Sequence, residues 1–464
     1  MADAYGIHPK YRKNLTSSKP IEAMPAPQTL YIPLLQHIGA PAEALVKKGD
    51  EVQAHQLIGE GKSFISANIH APVAGVVKDI VDLPTPVGAT AKTIVLEKKE
   101  SMTAKGRKNN YKKMGKDELV AAIKDAGVVG MGGAAFPTHV KLSPPKDKKI
   151  DTLIINGAEC EPYLTSDHRV MLEHAEEIAV GVEILEMILE PKQTFIGVED
   201  NKPDAIKELK KHLGYKVKPI ETKYPQGAEK TLIENLTMRI VPSGGLPMDV
   251  GCVVHNISTV KAIHDAVVYS KPLVERVVTV TGDGVGEPKN LLVKIGTPFR
   301  DVIDYCGGEN AVTVINGGPM MGIAQYTLDV PVMKGTSGIL CLPEIQTMDE
   351  QVCIRCGKCI QACPMDLMPN TLYKLVDSAR YGAALAHGLM DCVECGSCAF
   401  SCPSKINHVQ YIKLGKLKAR KLKANADAKK KEEKKPETKE AAEKKEDKKP
   451  DDKKADAEKK EEKK

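Results

Sequence analysis

The chain of 464 residues has no tryptophan, and aromatic residues make up only 4% of it. Its cores must therefore be built from Val, Ile, Leu, Ala and Met. It has no apolar run near the roughly 18 residues that a membrane span requires, so no transmembrane segment is expected. The opening stretch, MADAYGIHPKYRKN, has no apolar signal-peptide core, and the chain is expected to fold in the cytosol. Excess charge is also small. The formal net charge is +6, much of it in the Lys-rich C-terminal end, which does not make the basic face of a nucleic-acid binder. What the chain has is length and cysteine. Its length exceeds a single core, so about two to four domains are expected. Twelve cysteines without an export signal do not read as disulfides, and eight of them crowd into residues 353–402, which points to metal.

Residues 1–29 are polar and Pro-rich and read as an extended arm. From 30 to 98, short apolar runs broken by Gly and Pro (TLYIPL, HQLIGE, NIHAPVAGVVKDIV, KTIVLEK) give strand and turn signals at close spacing. VKKGDEV (46–52) followed by IHAPVAGVV (69–77) resembles the lipoyl/biotinyl-type barrel-sandwich hybrid. That family carries its cofactor on a hairpin lysine four or five residues before the position matching Ile69. Here those positions are Phe64 and Ile65, and the nearest lysine is Lys62, so the resemblance implies the fold without the swinging arm. A basic linker follows (98–115). KDELVAAIKDAG then puts Leu119, Val120, Ile123 and Ala126 on one helical face. Alternating strands and helices across 115–272 suggest an α/β layer sandwich, and 273–345 reads as a second, β-rich unit. Residues 346–415 hold the clustered cysteines among helical segments. From 416 to 464 the sequence is Lys/Glu-rich and of low complexity, and it is expected to form a disordered, solvated tail.

Cys353, Cys356, Cys359 and Cys363 form one C-x2-C-x2-C-x3-C-P run; Cys392, Cys395, Cys398 and Cys402 form the second. This is the bacterial ferredoxin pattern, in which three thiolates wrap one face of a [4Fe–4S] cubane and the fourth reaches the other cluster. The expected sets are Cys353, Cys356, Cys359 and Cys402, and Cys392, Cys395, Cys398 and Cys363. Structural zinc, with its paired C-x2-C arms, is the rival. Cys160, Cys252, Cys306 and Cys341 are isolated and read as small buried hydrophobes.

Gly130, Gly132 and Ala135 match G-x-G-x-x-G/A, and Glu159 follows at about the distance of a ribose-binding acid. A Rossmann loop, however, needs a strand before the glycines and a helix directly after them. Here a helical pattern precedes them and FPTHVKLSPP follows, so the glycines are expected to bed some other phosphate or flat ring.

Four motifs in order carry a resemblance to the flavoprotein subunit of respiratory complex I: GVVGMGGAAFPTHVK (127–141), NGAECEP (156–162), YPQGAEKTLI (224–233) and VHNIST (254–259). With the arm, the barrel-sandwich segment and the two ferredoxin runs added, the layout resembles the C subunits of the Rnf complex. That membrane complex exchanges electrons between ferredoxin and NAD, coupled to Na+ or H+ movement. The resemblance implies an FMN/NADH-binding α/β domain, an SLBB-like β-rich domain and an α-helical ferredoxin domain with two [4Fe–4S] clusters. It also implies non-covalent FMN and NAD(H) as cofactors. Gly130, Gly132 and Gly133 would face the FMN, Lys141 would neutralise its phosphate, and Asn156 would meet its ring. Glu159, Glu161 and Glu229 would lie near the nicotinamide cofactor, with Tyr224, Asn256 and Thr259 completing the flavin pocket. Implied partners are the other subunits of the complex, a ferredoxin-like subunit among them, with a peripheral position at the cytoplasmic face of the bacterial membrane. Ala158, Ala228 and His255 depart from the complex I pattern. They keep open a cluster-bearing electron-transfer subunit with a decayed flavin site; a related cobalamin reductase, which also combines a flavin domain with two ferredoxin runs, is the other alternative.

Overall fold

A computed structural model describes residues 6–99, 108–345 and 349–433. Strand β1 (Ile21–Ala23) belongs to the arm. It is followed by β2 (Thr29–Pro33), β3 (Glu43–Ala44), β4 (Glu51–Val52), β5 (Leu57–Glu60), β6 (Ile69–His70), β7 (Gly75–Pro84) and β8 (Thr90–Lys98). These pair as two small sheets, β2-β8-β7-β4 and β3-β5-β6. Alternate residues of both, including Leu30, Ile32, Ile58, Ile69, Ile94 and Leu96, close one core. The β5–β6 hairpin carries Phe64 and Ile65 in solvent, and Lys62 there is paired with Glu43 at 2.5 Å.

The second unit runs α1 (Lys116–Asp125), α2 (Thr138–Lys141), β9 (Thr152–Gly157), α3 (Ser166–Glu173), α4 (Ala175–Leu189), β10 (Gln193–Glu199), α5 (Pro203–Leu213), β11 (Val217–Ile220), α6 (Glu229–Thr237), β12 (Cys252–Asn256) and α7 (Ile257–Tyr269). Its sheet is all parallel, in the order β11-β10-β9-β12. The central strand β9 is buried on both faces and apolar through Leu153, Ile154 and Ile155. Leu153 and Ile155 face the core shared with α1, α4, α5 and α7, whereas Ile154 faces Leu232 and Ile233 of α6. All four strands end on one side, where open α/β sheets bind their ligands.

The third unit contains β13 (Glu275–Thr281), β14 (Lys289–Lys294), α8 (Phe299–Asp304), β15 (Thr313–Asn316), β16 (Ile323–Ala324) and β17 (Gly338–Leu342). The arm joins it, since β1 pairs in parallel with β14 at the edge of a six-stranded sheet. Buried Lys334 staples three units together. Its ammonium donates to the carbonyls of Asn68 and Gly127, both at 2.7 Å, and its own amide donates to the Gln36 side chain. Burial pushes this lysine down to about 7.

The cysteine unit is helical: α9 (Lys358–Gln361), α10 (Pro369–Asp377), α11 (Tyr381–Ala386), α12 (Ser397–Phe400) and α13 (His408–Glu433). The last helix corrects the tail boundary expected at 416. α13 continues through Glu433; as far as Ala419 it is held against α10 and α11 by Ile412, Lys416 and Ala419, which are buried on one side of it. The rest of the tail, 434–464, lies outside the described residues.

Candidate functional site

The glycine loop follows helix α1, as the sequence suggested, and is closed by backbone bonds: Gly130 N–H to the Phe136 carbonyl (2.8 Å) and Thr138 N–H to that of Val128 (3.1 Å). A Cβ on Gly132 would stand 3.0 Å from Cβ of Asn256, a contact so tight that Asn256 at the end of β12 would have to give way. Gly133 has φ +135 with open space before it, where a group can approach the backbone.

Four sequence-distant motifs meet at the C-terminal edge of the sheet. Asn156 and Asn256 sit side by side in register at the ends of β9 and β12. The Met131 amide donates to Thr259 Oγ1 at 2.8 Å, tying the glycine loop to α7. The Asn156 amide donates to the Gly227 carbonyl at 2.8 Å, and Asn156 Oδ1 accepts from the Ala158 amide. Lys141 reaches from α2 to the Glu229 carboxylate and to the Val254 carbonyl (3.0 Å). Asn256 caps α7, accepting from the amides of Ser258 and Thr259. His255 is buried beside Lys141 and is pushed down to about 3 by that burial, so its ring stays neutral. Among the described residues its Nε2 has no hydrogen-bond partner.

The two loop acids have structural duties. Glu159 is buried and caps α3, accepting from the amides of Asp167 (2.9 Å) and His168 (3.1 Å) and from the Ser166 hydroxyl. Glu161 accepts from the amides of Met320 (2.6 Å) and Met321 (3.1 Å) in the third unit. Burial pushes its carboxyl above the usual range, against the pull of those amides. Tyr224 is fully buried, and its hydroxyl donates to the Cys395 carbonyl at 2.6 Å. It therefore links the loop edge to the cysteine unit.

Three residues of this neighbourhood carried no signal in the sequence. Lys13 of the arm donates from its ammonium to the carbonyls of Glu159 (2.7 Å), Glu161 (3.0 Å) and Leu164 (2.6 Å). Asp167 accepts from Asn256 (2.7 Å) and Ser258 (2.5 Å), and burial, helped by Glu159, pushes it up to about 6. Arg276 is buried and donates to the Lys334 carbonyl at 2.6 Å and towards that of Met131. The arm itself is a strap. Ile7 and Tyr224 exchange both backbone hydrogen bonds, and the Tyr163 amide donates to the Tyr11 carbonyl.

In the cysteine unit, one cavity is lined by Cys353, Cys356, Cys359 and Cys402, and a second by Cys363, Cys392, Cys395 and Cys398. Each run contributes its fourth cysteine to the other's cavity. The two loops share a backbone: Arg355 and Glu394 both have positive φ, as do Gly357 and Gly396. Among the described residues, no three His, Cys, Asp or Glu side chains converge closely enough to hold a single ion. The second cavity abuts the loop edge, where Ile7, Tyr224, Ala362 and Cys395 pack together with Cys160 and Met320 alongside. The first lies at the outer end, with Cys356, Val352 and Ile354 in solvent. Of the isolated cysteines, Cys252, Cys306 and Cys341 are buried in cores, and Cys160 is half-buried beside the Gly227 amide.

A parallel-sheet domain with a glycine cradle, joined to two four-thiol cavities, defines an electron-transfer protein of the iron–sulfur flavoprotein class. Family models match in the same order: the RnfC barrel sandwich hybrid domain over 3–101, the Nuo51 FMN-binding domain over 123–265, the SLBB domain over 277–324 and a 4Fe-4S dicluster domain over 352–406. The chain is 52% identical over 419 residues to the C subunit of the proton-translocating ferredoxin:NAD(+) oxidoreductase complex of Clostridium ljungdahlii, covering 88% of this chain and 92% of that one. It is 43% identical to the Na(+)-translocating counterpart of Acetobacterium woodii, covering 83% and 90%. It is 44% identical to the C subunit of the ion-translocating oxidoreductase complex of Rhodobacter capsulatus, covering 83% and 77%. The chain belongs to the RnfC family, the C subunits of ion-translocating oxidoreductase complexes. The residues present fit the groups that these family descriptions imply. Each cavity offers four sulfur donors, as a cubane needs, and the glycine loop faces open space at Gly133.

Proposed function

We propose that the chain is the NAD(H)- and FMN-binding subunit of a ferredoxin:NAD+ oxidoreductase complex, exchanging hydride with NAD(H) and single electrons through two [4Fe–4S] clusters. Bound FMN supplies the conversion between two-electron and one-electron chemistry. The chain's own residues bind and orient. Gly130, Gly132 and Gly133 leave the backbone open to the flavin, and Lys141 stands where a phosphate charge would be met. Asn156 and Asn256, side by side at the sheet edge, would meet the ring, and Asp167 holds Asn256 in turn. Glu229 opens α6 just after the loop of Tyr224 and belongs to the nicotinamide side. Glu159 and Glu161 act there through the backbone they pin. Cys363, Cys392, Cys395 and Cys398 would hold the inner cluster, and Cys353, Cys356, Cys359 and Cys402 the outer one.

The observation that carries this reading is the hydrogen bond from Tyr224 to the Cys395 carbonyl. It joins the loop edge to the backbone of a cysteine of the second cavity and supports the order flavin, inner cluster, outer cluster. The outer cavity, with Cys356 exposed, suits exchange with a ferredoxin-like partner at the cytoplasmic face of the membrane. Among the described residues no helix is long and apolar enough to cross a membrane, and on this reading the chain is held at the surface by the other subunits of the complex. The test is reconstitution with iron, sulfide and FMN, followed by NADH-dependent reduction of ferricyanide. A fully loaded protein that ignores NADH refutes the reading. Ala158 and Ala228, which lack the acids of the complex I pattern, favour a cluster wire without flavin as the second reading. Such a wire would release no flavin fluorescence on acid treatment.

A further inference from the structure

The closing helix carries a surface that neither the flavin cradle nor the thiol cavities use. Between His408 and Asn425 there are six cations (Lys413, Lys416, Lys418, Arg420, Lys421 and Lys423) and no Asp or Glu. The chain beyond is different, with acids interleaved among its lysines. The inner side of α13 is satisfied: Ile412 and Ala419 are buried, and Lys416 donates to the Cys392 carbonyl at 2.6 Å and to Glu394 at 2.7 Å. The outer side is not. Leu414, Leu417, Lys418, Lys421 and Leu422 stand at i, i+3, i+4, i+7 and i+8, on one face of the helix. The three leucines are 46%, 51% and 55% exposed. A lone exposed leucine is ordinary, but three at helical spacing among lysines are not a random scatter.

We propose that this outer face of α13 lies on anionic phospholipid headgroups and anchors the cysteine unit directly to the membrane surface. The chemistry matches on both counts. Leucines reach the acyl boundary of an interfacial helix, and lysines beside them extend to the headgroups, their stems covering the same apolar surface. Between 408 and 425 the face carries cations and no acid, and that stretch is attracted to a negative leaflet over about a Debye length, roughly 8 Å at physiological salt. Lys416 on the opposite side ties the helix to the Cys392 carbonyl, so an anchored α13 holds the inner cavity at a set height above the bilayer. The proposal is independent of the flavin and cluster assignment, and either can fail without the other.

The test uses the full, cluster-loaded chain with vesicles of phosphatidylcholine alone or with phosphatidylglycerol added, in co-sedimentation at low and high NaCl. The expected result is binding that needs phosphatidylglycerol and falls at least tenfold in high salt. The double variants Lys418→Glu/Lys421→Glu and Leu417→Ser/Leu422→Ser should each lose at least tenfold in partition while keeping wild-type cluster absorbance. Four outcomes overturn the proposal: no binding, equal binding to neutral vesicles, unchanged binding by both variants, or binding only to native membranes that hold the other subunits. The last would make the face a protein interface.

Discussion

Lys13→Met removes one ammonium and leaves nearly the same side-chain length. Three carbonyls on the loop carrying Glu159 and Glu161 lose their shared donor, at 2.7, 3.0 and 2.6 Å. A half-buried carbonyl left without a partner costs about 1–3 kcal/mol. The substitution also relieves the burial penalty that holds the lysine below its ordinary pKa, so the low end of that range applies to each. The loop should therefore lose about 3 kcal/mol against local opening. With tenfold in an equilibrium constant per about 1.4 kcal/mol, amide exchange across 158–165 should accelerate by ~100-fold. Hydrogen–deuterium exchange read by mass spectrometry resolves that change. Strands β7 and β8, distant in the barrel sandwich, serve as the internal standard. Lys19→Met, which removes an exposed contact to the Pro288 carbonyl, should leave 158–165 unchanged. Wild-type exchange in this loop of the Lys13 variant would refute the claim that the arm braces the site.

Gly132→Ala presses a methyl against Asn256 at 3.0 Å. The purified variant should lose most of its acid-releasable flavin while both clusters keep their visible absorbance. Tyr224→Phe removes the donor to the Cys395 carbonyl and leaves a buried acceptor open, at a cost of about 1–3 kcal/mol. NADH should still bleach the flavin, but rapid-freeze EPR should show slower reduction of the inner cluster; an unchanged rate removes this contact from the path. Acid should destabilise the fold before its ordinary carboxylates titrate. His70 and His255 are pushed down to about 3 by burial, so below about pH 6.5 the unfolded chain takes up protons that the folded chain refuses. Each histidine then subtracts about 1.4 kcal/mol per pH unit down to about pH 3. Asp167, raised to about 6, takes its proton first in the folded state and returns part of that loss between about pH 6 and 4. The net at pH 5 is a loss of about 3 kcal/mol, and a thermal midpoint equal at pH 7 and pH 5 would contradict it.

The parts of this molecule that were readable from sequence are those whose chemistry is local. Two ferredoxin runs announce their thiols by spacing alone, and the cavities gather the same two sets of four. The face of α1 was readable because helical period is written within twelve residues, and the helix before the glycines excluded a Rossmann loop. Lys13, Asp167 and Arg276 were not readable. Lys13 meets Glu161 across 148 positions, and nothing near it in sequence distinguishes it from any solvated lysine. Asp167 looks like an ordinary acid in the first turn of a helix until Asn256 and Ser258 close over it. The tail boundary was misplaced for a related reason. Composition at 416–433 is that of a solvated segment, and only the packing of Ala419 and Ile412 on α10 and α11 shows that the helix continues.

Duplicate ligand motifs leave open which thiol cavity lies beside the glycine-loop domain, and the answer lies outside both motifs. The runs share spacing, backbone turns and short helices, so neither is intrinsically inner or outer. Their surroundings break the symmetry. The Tyr224 hydroxyl reaches Cys395, and the carbonyl of Met320 comes within 2.9 Å of where a Gly396 side chain would start. The equivalent Gly357 meets open space. Glu161 holds Met320 from the other side, through two amides. The same acid thus fixes both the loop beside the cradle and the wall against the inner cavity. A substitution at Glu161 should therefore disturb flavin and inner cluster together, while the outer cavity, which touches none of these residues, keeps its properties.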